Sequence, residues 1–317
     1  MSKFVVFSDL HAHLFRQFSV NNSRLWNCMS VVHDVFRIAN ENKADAILFC
    51  GDWNHEQGKM DTLVTKASIN TLRECHELYP SLKIYAISGN HDHKGKNVLD
   101  TLAPTALQVL EDALPEVFSL QDYGYTQIGD VWVGGIPYME FPEDFYTVLD
   151  GLIKVKPDEG STILLTHQTP AGSVDPVPSQ IDPKDERLKK FDYVLNGHIH
   201  RYQWFGGNFI TVGSPLQQDL GDINQTKGIL LLDTDNCTIT PIPLDYPQFR
   251  RVKFGETIPS EWGKDYILQD PPPAEDKQSV DIDRFGANNS PRDIVQAYGE
   301  HKAIDQETIN VGLTLLQ

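Results

Sequence analysis

Three short apolar runs, each followed at once by a polar cluster, constrain the fold of this chain more than any other feature. The runs Phe4–Phe7, Ala46–Cys50 and Leu82–Ile87 have the length of single strands, and their almost entirely apolar character is typical of buried parallel strands. Helical patterns separate them, at residues 25–39 and 62–79. Strands that alternate with helices predict an α/β fold with a parallel sheet.

After residue 115 the sequence becomes richer in predicted strands. They are Gly124–Ile128, Val131–Ile136, Thr162–Leu165, Tyr193–Leu195, Phe209–Val212, Gly228–Leu232 and Thr238–Ile242. This number of strands indicates a second sheet. Two sheets that pack face to face, with helices outside, form a four-layer sandwich. The sequence therefore predicts an α/β fold of two mixed sheets flanked by helices.

The composition changes near the end of the chain, which predicts three regions. We expect a main domain over residues 1–254. Pro271-Pro-Pro273 and the polar stretch after it predict a linker or a reduced capping region over residues 255–291. Residues 292–317 have helical potential. A solvated tail and a partner-docking segment both stay open as interpretations of that last region.

Charge and hydropathy exclude several classes of protein. The chain has 27 basic and 44 acidic residues, a net charge of −17, which argues against a broad basic face for nucleic acid. This net charge is still compatible with a nuclease whose metal ions supply local positive charge. No apolar run approaches the roughly 18 residues that span a bilayer, and no signal-peptide core is present. We expect a cytoplasmic protein without membrane association, and its four separated cysteines suit free thiols.

The polar clusters that follow the predicted strands are rich in metal-ligand side chains. They are Asp9-Leu-His11, Gly51-Asp52-Trp-Asn-His55, Gly89-Asn-His-Asp92, Thr166-His167 and Gly197-His-Ile-His200. In open α/β sheets the ligand crevice lies beyond the carboxyl ends of the strands, so these clusters are expected to converge. Their carboxylates, amide and imidazoles suit manganese, iron or zinc better than an all-oxygen magnesium or calcium site.

The set is large enough for two divalent ions that share one carboxylate. We predict that Asp52 is this bridge. Asp9 and His11 alternate on an extended segment and can hold one ion together, with His200 completing its ligands. The second ion is assigned to Asn90, His167 and His198.

The order of the motifs resembles the calcineurin-like metallophosphoesterase superfamily over roughly residues 3–233. The motifs read DxH, GDxxH, GNHD, a single His and GHxH. The resemblance implies that fold, two bound metal ions and hydrolysis of phosphoric esters. It carries the metal-binding role over to seven motif residues: Asp9, His11, Asp52, Asn90, His167, His198 and His200. Ser/Thr protein phosphatases of the superfamily typically read GDxVDRG at the second motif, and the sequence Gly51-Asp-Trp-Asn-His-Glu-Gln-Gly58 disfavours that class.

Two further features are similar to the nuclease subunit of SbcCD-type DNA repair and recombination complexes. They are His55, three residues after the bridging Asp52, and the turn Gly213-Ser-Pro215. This resemblance implies a DNA exonuclease or single-strand endonuclease that uses Mn²⁺, with iron or zinc as alternatives. It implies an SbcC-type coiled-coil ATPase as the partner, contacted through residues 292–316, and leaves a homodimer open.

The resemblance implies roles for two residues beside the metal ligands, and the position of Asp92 directly after His91 suggests a role for a third. His91 is expected to act catalytically, by stabilising the developing charge or protonating the leaving oxygen. His55 is expected to orient His91 or the bound phosphodiester. Asp92 is expected to hydrogen-bond a ligand imidazole and fix its tautomer, although a helix N-cap explains it nearly as well.

Two other functions stay open from the sequence. A small-molecule phosphodiesterase or phosphatase, for example for a cyclic nucleotide, is favoured by the acidic surface. The other is a non-catalytic scaffold, as in the retromer subunit that resembles this superfamily but has lost part of the ligand set. Every ligand position is filled in this chain, which disfavours the scaffold.

Overall fold

A computed structural model of the chain describes residues 2–57, 59–93, 105–173, 178–271, 295–296 and 308–309. Its strands are β1 (Lys3–Phe7), β2 (Ala46–Phe49), β3 (Ile84–Ala86), β4 (Phe118–Leu120), β5 (Tyr125–Ile128), β6 (Val131–Ile136), β7 (Ser161–Thr166), β8 (Tyr193–Asn196), β9 (Gln203–Trp204), β10 (Phe209–Thr211), β11 (Gly228–Asp233), β12 (Thr238–Pro243), β13 (Phe249–Val252) and β14 (Tyr266–Gln269). Its α-helices are α1 (Ser23–Glu41), α2 (Thr62–Leu78), α3 (Ala106–Ala113) and α4 (Pro142–Lys154).

Two mixed six-stranded sheets organise the described part of the chain. The first has the order β12-β11-β1-β2-β3-β4, and its strands β1 to β4 run parallel. The second has the order β5-β6-β7-β8-β10-β9, and its four central strands run parallel. Strands β13 and β14 form a separate two-stranded sheet. Parallel strands β1, β2, β3, β7 and β8 each precede one of the polar clusters of the sequence.

Strand β1 shows how the layers are built. Phe4 and Val6 point into an apolar core that they share with residues of the second sheet, such as Val133. Val5 and Phe7 point the other way, into a core that contains the apolar side of α1. Successive side chains of a strand face opposite sides of a sheet, so the uninterrupted apolar run is explained by burial on both faces.

Helix α4 covers the outer face of the second sheet. Its Phe145 and Leu149 are fully buried in a third apolar cluster that contains Leu164 of β7. The order of layers is therefore helices, first sheet, second sheet, helix. The predicted α/β fold of two mixed sheets flanked by helices is confirmed.

Two compact units divide the chain. The first comprises Met1–Arg250 and Ser260–Ile267, and the second comprises Arg251–Pro259 and Leu268–Gln317. The predicted linker or capping region, 255–291, is described only as far as residue 271. That part contains a 3₁₀ turn, Ser260–Trp262, and strand β14, so it has secondary structure of its own.

The predicted docking segment, 292–317, lies outside the described residues except for 295–296 and 308–309, which are helical. Its role stays a prediction, as do the predicted domain bounds. Among the described residues, no helix is long and apolar enough to cross a membrane. The cysteines are free, and Cys237 is exposed whereas the other three are buried.

Candidate metal centre

The polar clusters of the two sheets meet at one place. The backbone N–H of His198, which follows β8, donates to Oδ1 of Asp9, which follows β1, at 3.1 Å. On the neighbouring strands, Nδ1 of His167 donates to the carbonyl of Cys50 at 2.6 Å. The carboxyl ends of the parallel strands therefore converge across the sandwich, as expected for a ligand crevice in this class of fold.

The loops that carry the side chains have an uncommon backbone conformation. Asp9, His11, Asp52 and His198 have positive φ angles of 53°, 48°, 62° and 73°. Non-glycine residues adopt this region at a cost of order 1–3 kcal/mol each, and such residues cluster at functional sites. Neighbouring hydrogen bonds hold them there: Asp9 N donates to the Gly51 carbonyl at 2.9 Å, and His11 N to the Asp52 carbonyl at 3.0 Å. These hydrogen bonds tie the backbone of Asp9 and His11 to the segment that carries Asp52.

The first group of candidate ligands consists of Asp9, His11 and His200. One ligand atom of each lies within 4.8 Å of the others. The Nε2 atoms of His11 and His200 are 3.0 Å apart, and Oδ1 of Asp9 is 3.9 Å from both. Two nitrogens that share one ion, each at about 2.1 Å, stand about 3 Å apart, so this spacing fits a divalent metal.

Asp9 supplies a second observation that fits an ion. Its carboxylate is fully buried, and Oδ2 has no hydrogen-bond partner among the described residues. A buried and unpartnered carboxylate oxygen is costly unless a ligand completes it. A cation bound by this carboxylate at the first group would offset the cost of its burial.

The second group consists of Asp52, His167 and His198, whose ligand atoms also lie within 4.8 Å of one another. Oδ1 of Asn90 joins them, at 2.9 Å from Nδ1 of His198 and 3.2 Å from Nε2 of His167. Oδ2 of Asp52 lies 3.2 Å from Nε2 of His167 and 3.6 Å from Nε2 of His11. Asp52 therefore stands between the two groups, where a bridging carboxylate would be.

The protonation of the site reflects burial and the charge of Asp52. Burial lowers the pKa of His11 well below its ordinary value and that of His198 to about 3, which leaves both imidazoles neutral and able to bind a metal. Burial also acts to lower the pKa of His167, but the charges of Asp52 and Asp9 outweigh it and raise this pKa to about 9. Burial acts to raise the pKa of Asp52, but the charge of His167 outweighs this effect. The pKa of Asp52 is therefore lowered from its ordinary value. Without a metal, Asp52 and His167 form a buried ion pair.

His91 and His55 lie beside the first group. The backbone N–H of His91 donates to Oδ1 of Asp52 at 2.8 Å, and the His91 ring centroid is 4.8 Å from that of His11. Nδ1 of His91 donates to the backbone carbonyl of His55. The two rings stack at 5.3 Å, and Nδ1 of His55 is 3.4 Å from Nδ1 of His11. His55 therefore contacts both a candidate ligand and the expected catalytic histidine.

The hydrogen-bond partners of Asp92 differ from those that the sequence predicts. Its Oδ2 accepts from the backbone N–H groups of Asp52 at 2.8 Å and Gly89 at 3.0 Å, and its Oδ1 accepts from Asn54 N at 3.1 Å. The expected hydrogen bond to an imidazole is replaced by these three amides and by a fourth, the backbone N–H of Trp53, which donates to Oδ2 at 3.4 Å. Asp92 thus acts on the backbone of the Asp52 loop. The loop is so close to residue 89 that a Cβ there would lie 2.1 Å from Oδ1 of Asp52, which explains the glycine.

Two residues near the ligands were not assigned to the site from the sequence. His13 stacks its ring on His55 at 4.0 Å. Its nearness in the chain to His11 was the available signal. Tyr138 lies 5.6 Å from the His198 ring and 6.3 Å from the His167 ring. A single tyrosine in the short connection between β6 and α4 carries no motif from which this position could have been found.

The comparison with protein families gives the class of the chain. The sequence model of the calcineurin-like phosphoesterases matches residues 2–202 of the 317. The chain belongs to the calcineurin-like phosphoesterase family. Phosphoesterases are hydrolases that act on phosphoric esters. The finer resemblance to SbcCD-type nucleases depends on the motif residues alone.

One viral protein and two solved structures are among those to which this chain is similar. An uncharacterized protein of Acanthamoeba polyphaga mimivirus, R555, is 27% identical over 197 residues, which cover 58% of this chain and 14% of that protein. A dimetal phosphatase from Danio rerio is 9% identical with a TM-score of 0.46, and covers 73% of this chain and 91% of its own. The phosphoesterase Yfce from E. coli is 14% identical with a TM-score of 0.33. The match covers 77% of this chain and 100% of the Yfce chain.

Proposed function

We propose that this chain is a two-metal phosphodiesterase that cleaves DNA, as an exonuclease or single-strand endonuclease subunit in repair or recombination. The observation that carries the proposal is the position of His55. This residue stands where the protein-phosphatase motif has no histidine, and it contacts both His11 and His91. The proposed ions are Mn²⁺, because mixed imidazole and carboxylate ligands suit manganese, with iron and zinc as alternatives.

Each group of residues has a part in the proposed reaction. The first group and the second group would each hold one ion, and Asp52 would contact both. Such a pair of ions lowers the pKa of water and stabilises charge on the phosphoryl oxygens. Asp92 and Gly89 keep the backbone around Asp52 in place.

His91 is suited to move a proton. Its Nδ1 donates to the His55 carbonyl, which leaves Nε2 for the substrate. In the proposed reaction His91 gives a proton to the leaving oxygen, so that the alkoxide departs as an alcohol. A positioned acid of this kind contributes about 10²- to 10⁴-fold to the rate. His55 holds the ring of His91 by stacking and by its carbonyl.

The proposed partner is a coiled-coil ATPase of the SbcC type, contacted through residues 292–316. The acidic charge of the chain supports a partner, since a chain with a net charge of −17 gains little affinity for DNA from its own surface. The second candidate function, a small-molecule phosphodiesterase, is favoured by the same charge and needs no partner.

The test is Mn²⁺-dependent cleavage of end-labelled linear and single-stranded DNA by the purified chain. Bis(4-nitrophenyl) phosphate serves as a general phosphodiester reporter. His91→Ala is expected to reduce cleavage of DNA by about 10²-fold or more. The matched control is His33→Ala, since His33 lies partly exposed on α1 and pairs with Glu74 at the surface.

The outcomes separate the two candidate functions. Cleavage of DNA that is lost in His91→Ala and kept in His33→Ala supports the nuclease. Turnover of the reporter without cleavage of DNA, even after coiled-coil ATPases are added, overturns the nuclease proposal and favours the small-molecule phosphodiesterase.

A further inference from the structure

Lys227 is a buried lysine just before β11, and its ammonium group donates three hydrogen bonds. Its side chain is only 6% exposed. Nζ donates to Oδ1 of Asp222 at 2.7 Å, to Oε1 of Gln225 at 3.0 Å and to the backbone carbonyl of His200 at 2.6 Å. An ammonium group is buried at a high cost unless it is paired and hydrogen-bonded. Its partners are therefore held firmly in place.

The carbonyl of His200 is the point where this network meets the metal centre. It also accepts from the backbone N–H of Ser214 at 3.1 Å and from Oγ of Ser214 at 3.3 Å. With Lys227, three donors converge on one carbonyl oxygen. Because the carbonyl belongs to a candidate ligand, the network fixes the backbone from which the His200 ring reaches His11.

The same network reaches Asp9, a ligand of the first group that follows β1 in the first sheet. Oδ2 of Asp222 accepts from the backbone N–H of Gln218 at 2.8 Å. The side chain of Gln218 donates through Nε2 to the carbonyl of Asp9 at 3.2 Å. One carboxylate, that of Asp222, thus joins the lysine that holds His200 to the glutamine that holds Asp9.

The described contacts of the second group are different. His167 is held by the carbonyl of Cys50, and His167 and His198 both contact Oδ1 of Asn90. These contacts involve neither Lys227 nor Asp222. The backbone N–H of His198 contacts Asp9 at the carboxylate, not at the carbonyl that Gln218 holds. An effect of the network is therefore expected at the first group of ligands and not at the second.

We propose that Lys227 and Asp222 are positioning residues for the first metal ion. They hold the backbones of Asp9 and His200 at a fixed separation, so that a carboxylate from one sheet and an imidazole from the other meet the same ion. The inference goes beyond the proposed function, because it concerns binding of the ion and holds for any phosphoric-ester substrate.

The experiment measures the two metal positions separately, in the full chain. His198→Ala removes a ligand of the second group and leaves the first position, whereas His200→Ala removes an imidazole of the first group and leaves the second position. Lys227→Met is introduced into each background, and Co²⁺ affinity is titrated by visible absorption. We expect the affinity of the first position to fall about 10- to 100-fold, as for other residues that orient metal ligands, and that of the second to stay unchanged.

A second variant separates positioning from a general loss of stability. Lys227→Met leaves the Asp222 carboxylate buried and unpaired, which lowers stability by itself. Lys227→Met combined with Asp222→Asn removes that charge and keeps an acceptor for Gln218 N. We expect this double variant to recover its melting temperature while its first position still binds Co²⁺ weakly.

Arg250→Met is the matched control, because it breaks the ion pair between Arg250 and the buried Asp265, which has no contact with the ligands. It is expected to lower the melting temperature and leave Co²⁺ affinity unchanged. The proposal is overturned if the double variant recovers affinity together with stability, if Lys227→Met weakens both positions equally, or if it weakens neither. Because the readout is Co²⁺ binding, the result is independent of whether DNA is the substrate.

Discussion

The buried pair of Asp52 and His167 decides how the metal-free site behaves. Nε2 of His167 lies 3.2 Å from Oδ2 of Asp52, and both side chains are almost inaccessible to solvent. The pair holds a proton in the place where the second ion is proposed to bind. A metal binds a neutral imidazole, so it competes with this proton for His167.

Metal binding is therefore expected to release a proton from His167. With the pKa of His167 at about 9, the imidazole is protonated at lower pH, and lowering the pH favours the proton over the metal. The apparent affinity of the second position should rise about tenfold per pH unit up to about pH 9 and then level off. Calorimetric titrations at pH 7.5, in buffers of different ionisation enthalpy, measure the proton. Equal heats in all buffers would contradict this expectation.

The site residues that could be predicted from the sequence are those whose own side chains form short motifs after strands. Asp9, His11 and His200, and likewise Asp52, Asn90, His167 and His198, are brought together in the groups that the motif order suggested. Their metal-binding roles stay predictions.

Asp92 and Lys227 could not be predicted in their observed roles. Both act on backbone amides or carbonyls of other segments, and those contacts depend on how the loops fold. No spacing of side chains along the sequence encodes them.

At the scale of the helices and strands, those with a strong hydrophobic pattern could be predicted from the sequence. The apolar runs of β1 and β2 and the stripe of α1 appear close to their predicted bounds. Helix α4 was not predicted, although it begins with Pro142 and has Glu143 and Asp144 in its first turn. Those are common features of a helix start, but they did not by themselves predict the helix. The two-residue strand β9 is too short to have a pattern at all.

Helix α4 is expected to contribute stability without contributing to metal binding. Phe145 is fully buried between α4 and the outer face of the second sheet. Phe145→Ala should lower the free energy of unfolding by about 3–5 kcal/mol, because it removes apolar contact and leaves a cavity. Val155→Ala is the control, since Val155 is 69% exposed. Denaturant unfolding and metal counts measure both effects, and a loss of metal in Phe145→Ala would contradict the separation.

At the scale of the whole molecule, the metal centre joins the two sheets. The first sheet supplies Asp9, His11, Asp52 and Asn90, and the second supplies His167, His198 and His200. Ions that bind this set only in the folded chain stabilise it by mass action. Their effect on unfolding should therefore extend to the whole sandwich.

Addition of Mn²⁺ at about 100 times its dissociation constant should raise the melting temperature by about 5–10 °C. Chelation with EDTA should reverse the rise. Scanning calorimetry measures it, with Asp52→Asn as the comparison. An equal rise in Asp52→Asn would mean that Mn²⁺ stabilises the chain at other places.

The central claim is that Asp52 joins two metal ions in one centre, and a count of metal ions per chain tests it most directly. Native mass spectrometry after loading with Mn²⁺ should find two ions on the unaltered chain and neither retained on Asp52→Asn. Asp61→Asn is the matched control, because Asp61 caps α2 and asparagine caps a helix equally well. It should keep two ions. A single ion on the unaltered chain, or two ions on Asp52→Asn, would contradict the two-metal account.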